Sequence, residues 1–267
     1  MRGFDSVFHC AAKIVVSESV ERPDWYFLNN VEGTASVLSA MTKNYCKVLA
    51  FSSTAAVYGM PSESRPLIEL HPLNPINPYG ESKVVAENQI KEWAKRQGRS
   101  ATIFRYFNAA GARADWRLGE LHDPETHLIP NIINSLINPE VYTFELFGCD
   151  YPTYDGSCIR DYVHVSDIAS AHLLALGTTR PGCRIFNLGH GFGYSNLEVM
   201  QACADAVGAP LKYEVSSRRS GDPPALITSN ELAKADLGWI PVKSDLKTIV
   251  GDAVRWHKDI LPEIQAK

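Results

Sequence analysis

The sequence KVLAFSS at residues 47–53 is the clearest indication of the fold. It is a continuous apolar run that ends in small hydroxyl side chains, which is typical of a strand buried on both faces of a parallel sheet. A similar run, SVFHCAA, occupies residues 6–12. Between them, Val31, Leu38 and Met41 lie at helical spacing within residues 23–44. Residues 6–53 therefore predict a strand-helix-strand unit.

The same alternation continues beyond this unit. Residues 78–96 have the composition of a helix, and residues 101–107 form another apolar run. Successive units of this kind predict a doubly wound, Rossmann-like parallel sheet, because each crossover returns a strand to the same sheet. After Asn108 the sequence changes to irregular apolar groups separated by Gly, Pro, His and Asp. We therefore expect a smaller α/β lobe after Asn108.

The composition is that of an ordinary globular protein. The chain has 267 residues, of which 45% are hydrophobic, and this is enough to bury a substantial core. A formal charge of -4 and scattered Lys and Arg offer no basic surface for nucleic acid. No apolar run reaches the roughly 18 residues that cross a bilayer, and the first residues do not resemble a secretory signal. The sequence predicts a cytoplasmic protein that binds neither nucleic acid nor membrane.

Cysteine and histidine show no spacing typical of a metal site. The six cysteines are far apart and include no CxxC pair. His9, His122 and His164 also lack the spacing of metal ligands. We therefore expect reduced thiols and no bound metal.

Tyr79 and Lys83 are the first candidates for catalysis. They lie four residues apart in PYGESK (residues 78–83), at the predicted start of a helix, so both side chains project from one face. A phenol with a pKa of about 10 is a poor base at neutral pH, but a neighbouring ammonium lowers that pKa. The pair predicts a tyrosine that exchanges a proton with a substrate hydroxyl. A chance pair on an exposed helix is the alternative.

Thr54 is the third candidate. It lies in FSSTAAVYG (residues 51–59), which closes a predicted strand, and open parallel sheets bind ligands at the carboxyl ends of their strands. Its hydroxyl is expected to hydrogen-bond the same substrate hydroxyl. The alternative is a turn in which Thr54 satisfies only its own backbone.

Longer motifs extend beyond these residues. SSTAAVYG (52–59), PYGESK (78–83), RYFNAAG (105–111) and DGSCIRDYVHV (155–165) resemble, in order and spacing, the UDP-glucose 4-epimerases of the extended short-chain dehydrogenase class. The resemblance runs nearly to the end of the chain. It implies a UDP-sugar substrate and tightly held NAD, with Tyr79 as the base, Lys83 as its electrostatic partner and Thr54 orienting the sugar.

The resemblance also implies further binding residues. Those expected on the nicotinamide side of NAD are Ala11, Ala12, Asn29, Ser52, Tyr79, Lys83 and Tyr106. Those expected around the UDP-sugar are Asn108, His127, Leu128, Phe147, Arg160, Arg219, Asp222 and Leu226. The two arginines have the forked guanidinium that suits phosphates. A homodimer is expected from the resemblance alone.

The resemblance divides the chain into two parts. Residues 1–108, rejoined by about residues 157–190, correspond to a dinucleotide-binding domain, and residues 109–267 correspond to the UDP-sugar-binding lobe. Relatives begin with a strand and a Gly-x-x-Gly-x-x-Gly turn that holds the pyrophosphate. The chain begins where relatives have their fourth strand, so we expect an incomplete doubly wound sheet and weaker NAD binding.

Two alternatives to UDP-glucose/UDP-galactose epimerisation stay open. Leu226 occupies a position that gates an acetamido group in this family, and leucine is neither bulky nor tiny there. A UDP-N-acetylglucosamine 4-epimerase is therefore one alternative. The other is a truncated, non-catalytic protein that binds UDP-sugars or a partner, because the glycine-rich turn is not in the sequence.

Overall fold

Strands and helices alternate along the chain in the computed structural model, which describes residues 3–61, 66–113, 115, 117–177, 180–219 and 221–265. The strands are β1 (Ser6–His9), β2 (Val48–Thr54), β3 (Ser100–Tyr106), β4 (Asn108–Ala110), β5 (Phe144–Phe147), β6 (Ile159–His164), β7 (Gly182–Leu188), β8 (Gly193–Ser195), β9 (Tyr213–Ser216) and β10 (Ala225–Leu226). The α-helices are α1 (Val16–Glu21), α2 (Pro23–Tyr26), α3 (Gly33–Lys43), α4 (Pro78–Gln97), α5 (Leu128–Ile137), α6 (Val165–Leu176), α7 (Asn196–Val207), α8 (Glu231–Leu237), α9 (Leu246–Arg255) and α10 (Leu261–Gln265). A π-helical segment, Phe27–Glu32, joins α2 to α3, a second, Trp256–Ile260, joins α9 to α10, and a 3-10 helix, Ala55–Tyr58, follows β2.

A parallel sheet in the order β1-β2-β3-β7 forms the centre of the first part of the chain. β2 and β3 pair in register from Val48 opposite Ser100 to Thr54 opposite Tyr106, so they end at the same edge of the sheet. The apolar runs therefore form parallel strands as predicted. The helical spacing of residues 23–44 forms the continuous segment α2, Phe27–Glu32 and α3.

Helices cover both faces of this sheet, as the doubly wound prediction requires. Leu49 and Phe51 of β2 pack with side chains of α3 and α4. Ala50, between them, faces the other way and packs with α6 and α8. Strand side chains alternate between faces, which explains why a strand between two helical layers is apolar at every position. Burying one such large side chain stabilises the fold by about 1.5–3 kcal/mol.

The later part of the chain forms smaller sheets. β6 lies between β10 and β4, β8 pairs antiparallel with β6, and β5 pairs with β9. Helices α5, α7 and α9 pack against β5 and β6 around a separate core that includes Ile132, Leu146, Val199 and Ile249. The strand β7 returns to the first sheet, where it pairs with β3.

A buried ion pair connects α4 to the central sheet. The Arg105 guanidinium of β3 donates to both carboxylate oxygens of Glu87 on α4, with Nε to Oε1 at 2.9 Å and Nη2 to Oε2 at 2.7 Å. The Ser53 hydroxyl of β2 donates to the same carboxylate at 2.6 Å. Because all three side chains are buried, this network fixes the middle of α4 against β2 and β3.

A second connection joins distant parts of the chain. The main-chain N–H of Leu67 donates to Ile227 at 2.8 Å, and Ser229 N–H donates back to Leu67 at 2.9 Å. Leu67 therefore forms an isolated parallel bridge with Thr228, which follows β10. The segment between β2 and α4 is thus anchored to the later part of the chain. Among the described residues, no helix combines the length and the apolar character needed to span a membrane.

Candidate active site

The first turn of α4 brings Tyr79 and Lys83 to the edge where β2 ends. The Asn77 side chain caps the helix by accepting the Gly80 N–H at 2.9 Å, and Pro78 occupies the first helical position. Gly80 packs against the 3-10 helix that follows β2, because a Cβ there would lie 2.7 Å from a main-chain oxygen of that helix. A glycine is needed for this close approach.

Lys83 is buried, with 3% of its surface exposed. Its Nζ donates to the Ser52 main-chain oxygen at 2.9 Å and lies 4.8 Å from the centre of the Phe51 ring. Burial disfavours the ammonium and lowers the pKa of Lys83 to about 8. The side chain is thus a fixed cation at neutral pH, held by the strand rather than by solvent.

The Tyr79 phenol departs from the sequence prediction. Burial raises its pKa, because an ionised phenolate loses solvation, whereas a hydrogen bond with Thr54 acts in the opposite direction. The expectation that Lys83 would lower this pKa was wrong for the chain by itself. Its ammonium is directed at the Ser52 carbonyl, and desolvation dominates at the phenol.

The position of Thr54 is compatible with both predictions for it, a ligand-binding hydroxyl and a local turn contact. It ends β2, and its Oγ1 accepts the Ala56 N–H at 3.1 Å, which is the local turn contact of the alternative interpretation. A hydroxyl also has a hydrogen to donate. That hydrogen can be donated to the Tyr79 oxygen or to a ligand. The turn contact is therefore compatible with the predicted hydrogen bond to a substrate hydroxyl.

A hydrogen-bonded chain runs behind these residues. Ser52 Oγ and Tyr106 Oη lie 2.9 Å apart, and Tyr106 Oη lies 2.9 Å from His172 Nε2 on α6. The other ring nitrogen, Nδ1, is 3.0 Å from the Ile168 carbonyl, which can only accept. In the neutral ring Nδ1 therefore carries the hydrogen, Tyr106 donates to Nε2, and Ser52 donates to Tyr106.

The remaining residues expected at the cofactor lie on the loop after β1 and on the π-helical segment. Ala11 and Ala12 follow β1, and Asn29 donates to the neighbouring Asn30 at 3.0 Å. Asn30, which the sequence did not single out, is buried. Its side chain bonds both main-chain groups of Lys13 and the Ser82 hydroxyl, at 2.8 to 3.0 Å. It fixes the loop against α4.

These groups surround an open cavity of ≈ 510 Å³. Ala12, Ser52, Tyr79, Lys83 and Tyr106 line it, whereas Ala11 and Asn29 lie outside its lining. Apolar and aromatic side chains with a few convergent polar groups are typical of sites for planar organic cofactors. The lining therefore fits the nicotinamide end of a dinucleotide.

A second group of predicted residues meets around β6 and β10. Arg160 of β6 is the register partner of Leu226 of β10, and its Nη2 donates to Asp222 Oδ1 at 2.5 Å. The guanidinium of Arg219 lies over the Phe147 ring, 4.1 Å from its centre. The structure thus pairs each arginine with another predicted substrate residue.

The other predicted substrate residues lie at the ends of secondary structure elements. Asn108 begins β4, where it pairs with Tyr162 of β6. His127 is the N-cap residue of α5 and Leu128 is its first residue. Leu226 packs beside the cluster that includes Ala55 of the 3-10 helix after Thr54, which connects the second group to the first.

Sequence reasoning missed His172 as well as Asn30. His172 lies 66 residues after Tyr106 and lines the cavity. Its ring also lies near Cys10, which lines the same cavity, and helps to lower the pKa of that thiol. No local motif surrounds His172, so only the packing of α6 against the sheet reveals its position.

The geometry of the site agrees with comparisons to known proteins. A profile of the NAD dependent epimerase/dehydratase family matches residues 1–189. The chain belongs to this family. Its members are NAD dependent, so the prediction of NAD as the cofactor is confirmed for the family of this chain.

Relatives in this epimerase/dehydratase family include several UDP-glucose 4-epimerases. That of Lactobacillus helveticus is 46% identical over 257 residues, which cover 95% of the chain and 77% of the relative. The solved structure of the Brucella ovis enzyme in complex with NAD is 43% identical with a TM-score of 0.88, over 94% of the chain and 77% of that structure. The Bifidobacterium longum enzyme in complex with NAD+ and UDP is 34% identical with a TM-score of 0.90, over 96% and 77%. The resemblance to UDP-glucose 4-epimerases and the Rossmann-like fold are confirmed.

Proposed function

We propose that the chain interconverts UDP-glucose and UDP-galactose by transient oxidation and reduction at C4 of the sugar. The convergence of Thr54, at the carboxyl end of β2, with the buried Tyr79 and Lys83 of α4 is the observation that carries this proposal. The identity to UDP-glucose 4-epimerases supports it over most of the chain. NAD, when bound, supplies the acceptor and donor of the C4 hydride.

The chain's own residues move the proton. Tyr79 accepts the proton of the sugar O4 as C4 is oxidised and returns it when the 4-keto sugar is reduced on its other face. Because burial raises the pKa of Tyr79, the base form needs positive charge nearby. Lys83, on the same face of α4, carries such a charge below about pH 8. The Thr54 hydroxyl, which hydrogen-bonds Tyr79, orients O4.

The second group of residues would hold the UDP moiety. The guanidinium groups of Arg160 and Arg219 match the two phosphates in charge and in fork geometry. Asp222 orients Arg160, and the Phe147 ring supports Arg219 from below. Asn108, His127, Leu128 and Leu226 complete the proposed contacts to nucleotide and sugar.

The cavity lining would hold the nicotinamide end of NAD. Lys83, Ser52 and Tyr106 present polar groups to it, and Ala12 leaves room for a ring. Ala11 and Asn29 are proposed contacts at its margin. Ser52 and Tyr106 are already hydrogen-bonded to each other, so their positions need not change when the cofactor binds.

The test combines binding and turnover. We would titrate the 267-residue protein with NAD and with UDP by calorimetry, and then measure conversion of UDP-galactose with added NAD. Tyr79→Phe should lower kcat by about 10²- to 10⁴-fold, because it removes the general base, and should leave UDP affinity unchanged. The matched control is Tyr45→Phe, since Tyr45 is an exposed tyrosine outside the site.

Two results would contradict the proposal. If the Tyr79→Phe variant kept the turnover of the parent, Tyr79 would not be the general base. Binding of UDP without binding of NAD, at any concentration that the calorimeter reaches, would favour the non-catalytic UDP-sugar-binding protein.

We also propose a homodimer in the cytoplasm. The resemblance supports the dimer, as do Val20 and Leu28, which are apolar yet 63% and 64% exposed. Six free cysteines fit a reducing compartment. Light scattering should give twice the chain mass of 29.5 kDa, and a monomer would contradict the dimer. Fractionation of cells that express the protein checks the location.

A further inference from the structure

Four side chains of the kinds that bind metals converge in the loop before α5. They are Glu120, His122, Glu125 and His127, and the sequence spacing is Glu-x-His-x-x-Glu-x-His. One ligand atom from each residue lies within 4.8 Å of the other three. The proposed reaction assigns no role to three of them.

Three of the separations between these side chains are close to those of tetrahedral coordination. His122 Nδ1 lies 3.0 Å from Glu120 Oε1 and 3.7 Å from Glu125 Oε2. His127 Nδ1 lies 3.5 Å from Glu125 Oε1 and also contacts Glu120 Oε1. Bonds of about 2.0–2.1 Å to a tetrahedral zinc ion place neighbouring ligand atoms about 3.3 Å apart. The separations of 3.0, 3.5 and 3.7 Å lie on both sides of that value, and the last two involve different oxygens of Glu125, so an ion at the centre requires the side chains to adjust around one of these oxygens.

Neighbouring groups already hold the two carboxylate residues in place. Glu125 Oε1 accepts the main-chain N–H groups of Thr126 and His127, at 2.8 and 2.9 Å. The Trp256 indole N–H donates to the Glu120 main-chain oxygen at 2.8 Å. Outer contacts of this kind orient ligands and raise metal affinity. The Glu125 carboxylate and the main chain of Glu120 therefore have outer support of the kind that a metal site uses.

We propose that Glu120, His122, Glu125 and His127 bind one divalent transition metal ion of the zinc type. Two imidazole nitrogens and two carboxylate oxygens suit zinc, whereas magnesium and calcium prefer six or more oxygen ligands. The two carboxylates balance the charge of the ion. Since the protein supplies all four ligands, the site is structural and leaves no position open for a reacting water.

The structural role follows from the position of the loop. The ion would join both ends of residues 120–127 and fix His127, the N-cap residue of α5. The loop would also be fixed to the segment Trp256–Ile260 through Trp256. This inference does not depend on the proposed epimerase activity.

Metal titration of the full chain tests the proposal. Untagged protein treated with EDTA and then dialysed is titrated with Zn²⁺ by calorimetry and with Co²⁺ by visible absorption. We expect one ion per chain, a Co²⁺ spectrum of tetrahedral nitrogen and oxygen coordination without a thiolate band, and no competition by Mg²⁺. His122→Gln should weaken binding by more than about tenfold, the loss caused even by removing an outer contact.

Matched variants separate this site from others. The double variant His71→Gln, Glu140→Gln removes a histidine and a carboxylate elsewhere and should bind Zn²⁺ as the parent does. Glu120→Gln should weaken binding as His122→Gln does. Circular dichroism checks that each variant is folded. Absence of stoichiometric binding, a thiolate band, or unchanged affinity in both cluster variants would overturn the proposal.

Discussion

The edge where β2 and β3 end holds its polar side chains differently from the surface around β6 and β10. At the edge, Lys83 is buried and bonded to a strand carbonyl. Around β6, Arg160 is paired with Asp222, whose side chain is 33% exposed, and Arg219 lies on an aromatic ring. Fixed buried groups have strong electrostatic effects because little water screens them. The edge therefore holds its cation away from water, as the proposed proton transfer requires, whereas the second surface keeps its cations accessible to the proposed charged ligand.

Breaking the buried ion pair that supports this edge should have the largest effect, which is on the free energy of unfolding. Glu87→Gln leaves the buried Arg105 guanidinium without its counter-charge and should lower the free energy of unfolding by about 3–5 kcal/mol. Urea denaturation measures this loss of stability. The control is Glu92→Gln, which breaks an exposed pair with Arg96 on the same helix and should cost no more than about 1 kcal/mol. Equal losses in the two variants would show that the edge is not organised by burial.

Removing a cation from the second surface should affect binding rather than folding. Arg160→Ala is expected to weaken UDP binding by about 10- to 100-fold, since a charge-assisted hydrogen bond contributes about 1.5–3 kcal/mol. The kcat should change little. Calorimetry with UDP measures the change, with Arg117→Ala as a control at an exposed arginine that pairs with Glu263. A large fall in kcat with unchanged UDP affinity would contradict this, because it would show that Arg160 acts in the reaction and not in UDP binding.

Leu226 contacts both regions, because it pairs with Arg160 and packs beside the 3-10 helix that follows Thr54. Leu226→Tyr fills space near the sugar and should lower kcat/KM for UDP-N-acetylglucosamine about tenfold more than for UDP-galactose, because a larger side chain excludes the acetamido group. Parallel assays of the two substrates measure it. Leu226→Met, which keeps the volume, is the control. An equal fall in kcat/KM for both substrates would show that Leu226 does not determine which substrate is preferred.

The pH dependence of turnover should give the smallest effect. The ammonium of Lys83 is present below about pH 8 and is lost as the pH rises through that value. We expect kcat to fall about twofold at that pH, and further above it. A pH profile measures this. In Lys83→Arg the fall should disappear, because arginine stays charged throughout the range. A parent profile that is flat to about pH 9 would contradict the role of the ammonium.

Much of the central sheet could be predicted because the pattern that indicates each strand lies within the strand's own sequence. Residues 47–53 form an apolar run closed by small hydroxyl side chains, and this pattern alone indicates a strand covered on both faces. The pairing of Arg160 with Leu226 has no such local pattern, since β10 contains only two residues. Short strands that depend on a distant partner are not predictable from their own sequence.

The candidate site shows the same division. Spacing placed Tyr79 and Lys83 on one face of α4, but spacing contains no information on burial, which controls the pKa of the phenol. His172 contacts Tyr106 only because α6 packs on the sheet. The four residues before α5 lie in a loop, where no periodicity predicts the direction of a side chain.

The bridge between Leu67 and Thr228 has a consequence for the order in which the protein is made. Thr228 lies 161 residues beyond Leu67, its partner in this bridge. During synthesis the segment between β2 and α4 must wait, without this anchor, until residue 228 has left the ribosome. Contacts of such long sequence separation form slowly, because closing the loop costs chain entropy. The segment that leads from β2 into the helix of Tyr79 and Lys83 is therefore anchored late in synthesis.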